Sequence, residues 1–221
     1  MNELTNYRNP FDLALQGAPV REVEITEAAA EHVAAWDFDQ RVTAVHEAAH
    51  AVVAAALGVP VKAVDISSRD GGHTEIGVGA DNLPATTTDR MLLDLIVVRQ
   101  AALHAERLIF GQGTTGSAGD ISAATSLAYE RIRTGLDPAA PLVVPDGIPY
   151  WAGATELLRT QMLEAAHATL AACRDRAAAL VERHREGIVA FAGPLYARRR
   201  LEGEALQALL QEALEATAAS G

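Results

Sequence analysis

At 221 residues the chain is long enough to bury a core without staples, and its composition (49 % hydrophobic, only 5 % aromatic) rests on alanine, the best helix former. Acids outnumber bases 29 to 18, a formal charge of −11, so the phosphate attraction behind most nucleic-acid affinity is missing overall. A single cysteine, Cys173, excludes an intramolecular disulfide framework and a cysteine-based zinc finger.

The polar first ten residues hold no signal-like apolar stretch, and residues 1–20, broken by Pro10, Gly17 and Pro19, read as a flexible arm. A helical pattern begins at Ile25. Asp37 or Asp39 then offers the start of a second helix to about Leu57, stopped by Gly58 and Pro60. Val61–Ser67 and Thr74–Val78 are β-type runs separated by the turn-like Arg69-Asp70-Gly71-Gly72. Thr86–Thr88 can cap a helix over Asp89–Phe110 that Gly111 ends. A Gly/Thr/Ser loop follows to Gly119, and Asp120 opens a helix to about Arg133. Past the proline-rich residues 138–149, Ala154–Arg185 and Glu202–Ala218 read as long amphipathic helices. The predicted fold class is mainly α, with a small β-hairpin and a C-terminal helical part. No apolar run approaches the ~20 residues that span a bilayer, so neither membrane nor nucleic acid is an expected partner, and a soluble cytoplasmic protein is expected.

Chemistry enters at His46-Glu47-Ala48-Ala49-His50, an H-E-x-x-H pattern. Residues four apart share a helix face, so both imidazoles can meet one cation. Zn²⁺ held by two histidines, a third protein ligand and an open position lowers the pKa of a bound water towards ~7. Glu47 can then take the water's proton and pass it to a leaving amine. The alternative is a pair of exposed histidines beside a surface glutamate, but Val45, Val52, Val53 and the surrounding alanines mark a buried helix. Spacing leaves the third ligand open among Asp65, Asp70, His73, Glu75, His104, Glu106 and Asp120. Glu106 is also a candidate to accept a ligand histidine's outer N–H, the alternative being a solvated helix-face glutamate. His32, His73, His104, His167 and His184 read as structural or exposed. The run Arg198-Arg199-Arg200 reads as a solvated face or a complement to a helix terminus.

Together with Ala105-Glu106-Arg107-Leu108-Ile109-Phe110-Gly111 and Thr114-Thr115-Gly116-Ser117-Ala118-Gly119-Asp120-Ile121, which continues through Ala124-Thr125, the H-E-x-x-H segment resembles the protease domain of the FtsH family. Those proteins are membrane-anchored, ATP-dependent zinc proteases. Their motifs H-E-A-G-H-A, A-E-x-x-x-F-G and T-[TS]-G-A-x-x-D-[IL]-x-x-A-T occur here in that order, and Leu201–Leu206 resembles the entry to the family's closing helix. The resemblance covers roughly residues 22–210. It implies that Asp120 joins His46 and His50 as a zinc ligand, the alternative being a helix N-cap. It also implies that Thr74, Glu75, Ile76, Gly77 and Val78 form the edge strand along which an extended substrate lies. Residues 21–137 become a zinc peptidase core, 138–152 a connector and 153–221 the C-terminal helical part of one protease domain.

Departures from the family pattern are Ala49 for glycine, Ala101-Ala102-Leu103 for Gly-Gly-Arg, and Gly119 for asparagine. None removes a ligand or the base, though they bear on subunit contacts and substrate handling. The only lysine, Lys62, lies outside any G-x-x-x-x-G-K-[ST] frame, so no phosphate-binding loop is present. The expected function is a soluble, ATP-independent zinc metallopeptidase acting on peptides or unstructured polypeptides. A zinc-stabilised interaction module or a protease of one partner is the alternative, and Glu47, which a structural site does not need, favours catalysis. The family implies six-fold rings and leaves room for an unfoldase or adaptor partner.

Overall fold

The computed structural model describes residues 27–68, 71–77, 83–140 and 155–219. Helix α1, Glu27–Ala56, is a single 30-residue helix rather than the two expected. Asp37 and Asp39 are N-cap types, but no glycine or proline interrupts the alanine-rich stretch around them, so nothing breaks the helix there. It ends as predicted. Val59 N–H reaches back to the Ala54 carbonyl at 2.9 Å across Gly58, and Pro60 follows.

Strand β1, Val61–Asp65, pairs antiparallel with β2, His73–Ile76, in the register Ala63↔Glu75, Val64↔Thr74 and Asp65↔His73. β2 stops two residues before the expected end: Gly77 donates to the Pro60 carbonyl at 2.9 Å, and Val78 lies outside the described residues. Helix α2, Asp89–Phe110, is capped by the Thr88 hydroxyl and closed at Gly111 as predicted. A 3₁₀ turn, Thr115–Ser117, leads into α3, Ala118–Arg133. Helix α4, Glu156–Arg183, follows. The expected arm 1–20 and the connector beyond Ala140 lie outside the described residues.

Two elements were not anticipated. Helix α5, Arg185–Arg198, follows α4 after a break at the buried His184 and carries Pro194 inside it. Strand β3, Arg200–Glu202, adds antiparallel to the other side of β1, giving the order β2-β1-β3, before α6, Gly203–Ala219. The basic run is divided by this turn, with Arg198 and Arg200 exposed and Arg198 in the last turn of α5, as a helix-terminus complement would be. Arg198 ends α5, Arg199 closes it in the left-handed region with its guanidinium over Tyr196, and Arg200 pairs with Asp65 across the sheet at 2.8 Å.

The second half of α1 forms the centre of the core. Val45, Val52 and Val53 are wholly buried there, against Ile96 and Val97 of α2 and Ile188 and Phe191 of α5. α5 and α6 cross at Gly187, where a Cβ would stand 2.2 Å from the Ala213 carbonyl oxygen, so only glycine permits the approach. Arg131 of α3 joins Asp89 at the start of α2, Asp137 at 2.6 Å and Thr169 of α4 at 2.9 Å, knitting three helices around one guanidinium. Helices and one small sheet thus hold α1 from all sides, with one end of the sheet beside the H-E-x-x-H turns.

Candidate metal centre

One helical turn separates His46 from His50, and their rings meet edge to face, 4.9 Å between centroids. Their Nε2 atoms are 3.2 Å apart. Asp120 Oδ2 approaches the first at 3.0 Å and the second at 3.2 Å. Asp120 is the third residue of α3, inside its first turn, and so is not the N-cap that the sequence offered as an alternative. The GTTGSAG loop and the 3₁₀ turn bring α3 back so that this carboxylate faces α1. Among the described residues these three are the only group of His, Cys, Asp or Glu side chains with donor atoms gathered closely enough for one metal ion.

Outer contacts fix the rings. His50 Nδ1 is 2.7 Å from the Val98 carbonyl. A carbonyl only accepts, so Nδ1 donates to it and Nε2 is the ring nitrogen that faces His46 and Asp120. His46 Nδ1 is 2.7 Å from Oε1 of Glu106, a fully buried carboxylate whose other oxygen accepts the Thr114 N–H. Zinc binds nitrogen and oxygen at about 2.0–2.2 Å in a tetrahedron, which sets neighbouring donors on the order of 3.3 Å apart. The observed 3.0–3.2 Å spacings, with both Nε2 atoms and Oδ2 facing one point, fit that ion.

Electrostatics agree with a cation site. Burial alone would lower the His46 pKa, but hydrogen bonds to Asp120 and Glu106 and the charges of Glu47 and Asp120 outweigh it, raising it to about 10. Burial opposes ionisation of Asp120, yet hydrogen bonds from His46 and His50 and their charge hold its carboxyl far below the usual carboxylate range. In the metal-free protein a proton therefore supplies the positive charge that the carboxylates attract.

Glu47 is buried, and its Oε2 accepts the Thr74 hydroxyl at 2.6 Å. Gly72 lies against it: a Cβ at Gly72 would be 2.5 Å from Glu47 Cγ, so a side chain there would make Glu47 shift. A cavity of about 320 Å³ opens onto His46, Glu47, His50 and Asp120 and is bordered by Gly71, Gly72, His73 and Thr74. β2 is an edge strand of the sheet and its start lies at the cavity. Thr74 and Ile76 point inward, whereas His73 and Glu75 are exposed.

Of the remaining third-ligand candidates, Asp65 binds Ser67 and Arg200, Glu75 faces Lys62 at 3.7 Å and His104 is partly buried on α2. His73 is exposed at the rim of the cavity outside the three-residue cluster, and Asp70 lies outside the described residues. Sequence reasoning missed the Val98 carbonyl, the Thr114 N–H, Gly72 and Arg99, whose Nη1 is 3.2 Å from Asp120 Oδ1. Arg99 did leave a signal. It interrupts an apolar stretch and stands two turns before Glu106 on the same helix face.

Comparison with known families matches residues 35–143 to Peptidase family M41. Over that stretch the chain is similar to the M41 peptidases. The ATP-dependent zinc metalloprotease FtsH of Methylibium petroleiphilum is 30 % identical over 198 residues, which cover 81 % of this chain and 32 % of that protein. FtsH 1 of Symbiobacterium thermophilum is 33 % identical over 201 residues, covering 88 % and 31 %. FtsH 2 of Sphaerobacter thermophilus reaches 40 % over a shorter 99 residues, 43 % of this chain and 15 % of that one. The chain spans about a third of the length of the first two relatives. The M41 match takes in α1 from residue 35, the hairpin, α2 and α3, and with them every residue of the centre described above. Zn²⁺ is the cofactor expected for an M41 domain, and no helix among the described residues is long and apolar enough to cross a membrane.

Proposed function

We propose that the chain is a zinc metallopeptidase that hydrolyses peptide bonds in peptides or unstructured polypeptides, with His46, His50 and Asp120 holding Zn²⁺ and Glu47 as general base and acid. The observation that carries this reading is the convergence of three donor atoms at 3.0–3.2 Å at the foot of a cavity that Glu47 also lines. Zinc supplies a Lewis acid that acidifies a water and polarises the scissile carbonyl. Glu47, its rotamer held by Thr74 and Gly72, takes the attacking water's proton and returns it to the departing amine. Glu106 and the Val98 carbonyl keep both imidazoles turned with Nε2 inward. β2 offers main-chain pairing to an extended substrate at the cavity, which suits an unfolded segment and not a folded one.

Hydrolysis at this site consumes no nucleotide, so cleavage of unstructured substrates is ATP-independent, and folded proteins need an unfoldase or adaptor partner. The reading places the chain in the cytoplasm and allows a six-fold ring of copies, as the FtsH resemblance implies. The test is metal analysis with cleavage of an unstructured polypeptide by the wild type and by Glu47→Gln. We expect zinc in both, and cleavage lowered by ~10²–10⁴ in the variant, the range for losing a general base. Zinc in both with equal, negligible cleavage would instead leave a zinc-stabilised interaction module or a protease of one partner. Asp120→Ala is expected to lose zinc while keeping its helical circular dichroism.

A further inference from the structure

All three proposed ligands are held at their outer atoms by the same helix. α2 gives the Val98 carbonyl to His50, Arg99 to Asp120 and Glu106 to His46. Two of these are familiar kinds of support for a histidine ring. The Arg99 contact is different because it acts on the carboxylate, and a carboxylate has a choice of binding through one oxygen or two. Asp120 Oδ2 is the atom near both Nε2 atoms, at 3.0 and 3.2 Å, whereas Oδ1 is turned away to Arg99 Nη1 at 3.2 Å. Among the described residues nothing else hydrogen-bonds Oδ1. Arg99 is three-quarters buried and, among the described residues, is the only arginine or lysine lining the cavity, so its charge acts with little screening.

We infer that Arg99 is a positioning residue that makes Asp120 a one-oxygen ligand and so keeps a coordination position open for water and substrate. A guanidinium N–H on Oδ1 competes with the metal for that oxygen. Without it both carboxylate oxygens turn to the ion, the position needed for water is taken, and the Lewis acid is weakened by the extra anionic donor. The inference rests on the zinc reading above.

The test uses the full chain with cobalt in place of zinc, because four-coordinate cobalt absorbs visible light far more strongly than cobalt with five or six ligands. Wild type, Arg99→Met and Arg99→Lys are compared by cobalt absorption, by zinc content and by kcat and KM on an unstructured substrate. Arg99→Met is expected to bind metal with a weakened, shifted cobalt spectrum and a kcat lowered ~10-fold or more at similar KM, the scale seen when a ligand's outer partner is lost. Arg99→Lys, which keeps a charged donor, is expected to recover much of the spectrum. Should Arg99→Met fail to fold, Arg99→Gln replaces it and is expected to fall between the other two. A wild-type spectrum in Arg99→Met (or in Arg99→Gln where it stands in) overturns the inference. An equal loss in the lysine variant also overturns it, since packing and not the charged donor would then be responsible. If the wild type binds no metal, the zinc reading itself fails and this inference with it; if it binds metal and Arg99→Met is indistinguishable, only the role of Arg99 falls.

Discussion

A hydroxyl on the sheet, Thr74 Oγ1, ends 2.6 Å from Glu47 Oε2, so the general base proposed on α1 is oriented by a residue of β2. Hydrogen bonds to charged groups contribute about 1.5–3 kcal/mol, and a freed carboxylate rotates among its rotamers. Thr74→Val, close in shape but without the hydroxyl, is therefore expected to lower kcat on an unstructured substrate by ~10-fold or more. Zinc content is expected to stay unchanged and Thr74→Ser to retain most of the rate; a valine variant as fast as wild type would remove Thr74 from the machinery. The sequence marked Thr74 for its strand and not for its side chain, because nothing in residues 46–50 says that the residue 27 positions further on returns to Glu47. By contrast, the approach of His46 and His50 follows from helical period alone, which is why that part of the centre was legible. The Val98 carbonyl and Thr114 N–H were not, since main-chain groups exist at every position and only the fold selects one.

Helices with clear end signals were read almost to the residue: Thr88 and Gly111 bracket α2, and Gly58 with Pro60 ends α1. Where end signals conflict with the fold, the reading failed. Pro194 looks like a breaker yet lies inside α5, and β3 has three residues, too few to show a period of two. The first turn of α3 begins at Ala118, two residues earlier than Asp120 suggested, and that shift places the carboxylate inside the helix end instead of at its cap. At the same scale, Arg131 holds α2, α3 and α4 together by pairing with Asp89 and Asp137 while donating to Thr169. Asp137 is nearly inaccessible, so removing its cation leaves a buried charge, at a cost of about 3–5 kcal/mol. Arg131→Ala is expected to lose that much in urea unfolding at pH 7 while any fraction still folded binds zinc normally. A loss below 1 kcal/mol would mean the cluster is dispensable to the packing.

For the molecule as a whole, the metal centre links folding to pH. His46 gains partners on folding and its pKa rises from 6.5 to about 10. In the metal-free protein that contribution to stability is complete below pH 6.5 and is lost as pH climbs through about 10. Zinc held by His46 as proposed would displace this proton, so each ion bound would release one, and its apparent affinity is expected to rise about tenfold per pH unit between 7 and 9. A ligand that binds only the folded chain stabilises it by RT ln(1 + [L]/Kd), so at fixed free zinc the gain in Tm over the chelator-treated protein should widen across that range. Equal Tm gains at pH 7 and 8.5 would contradict the proton displacement. Composition alone foreshadowed the helical character but not this coupling, which depends on Asp120 and Glu106 converging on one ring from 74 and 60 residues away.

Val98, Arg99 and Glu106 fall within nine consecutive residues, and none of them would touch the ion itself. The proposed ligands and the residues that would set them are therefore written in different stretches of the gene. Preference among divalent metals can drift, or be selected in a library confined to that short cassette, while the H-E-x-x-H signature and Asp120 stay untouched.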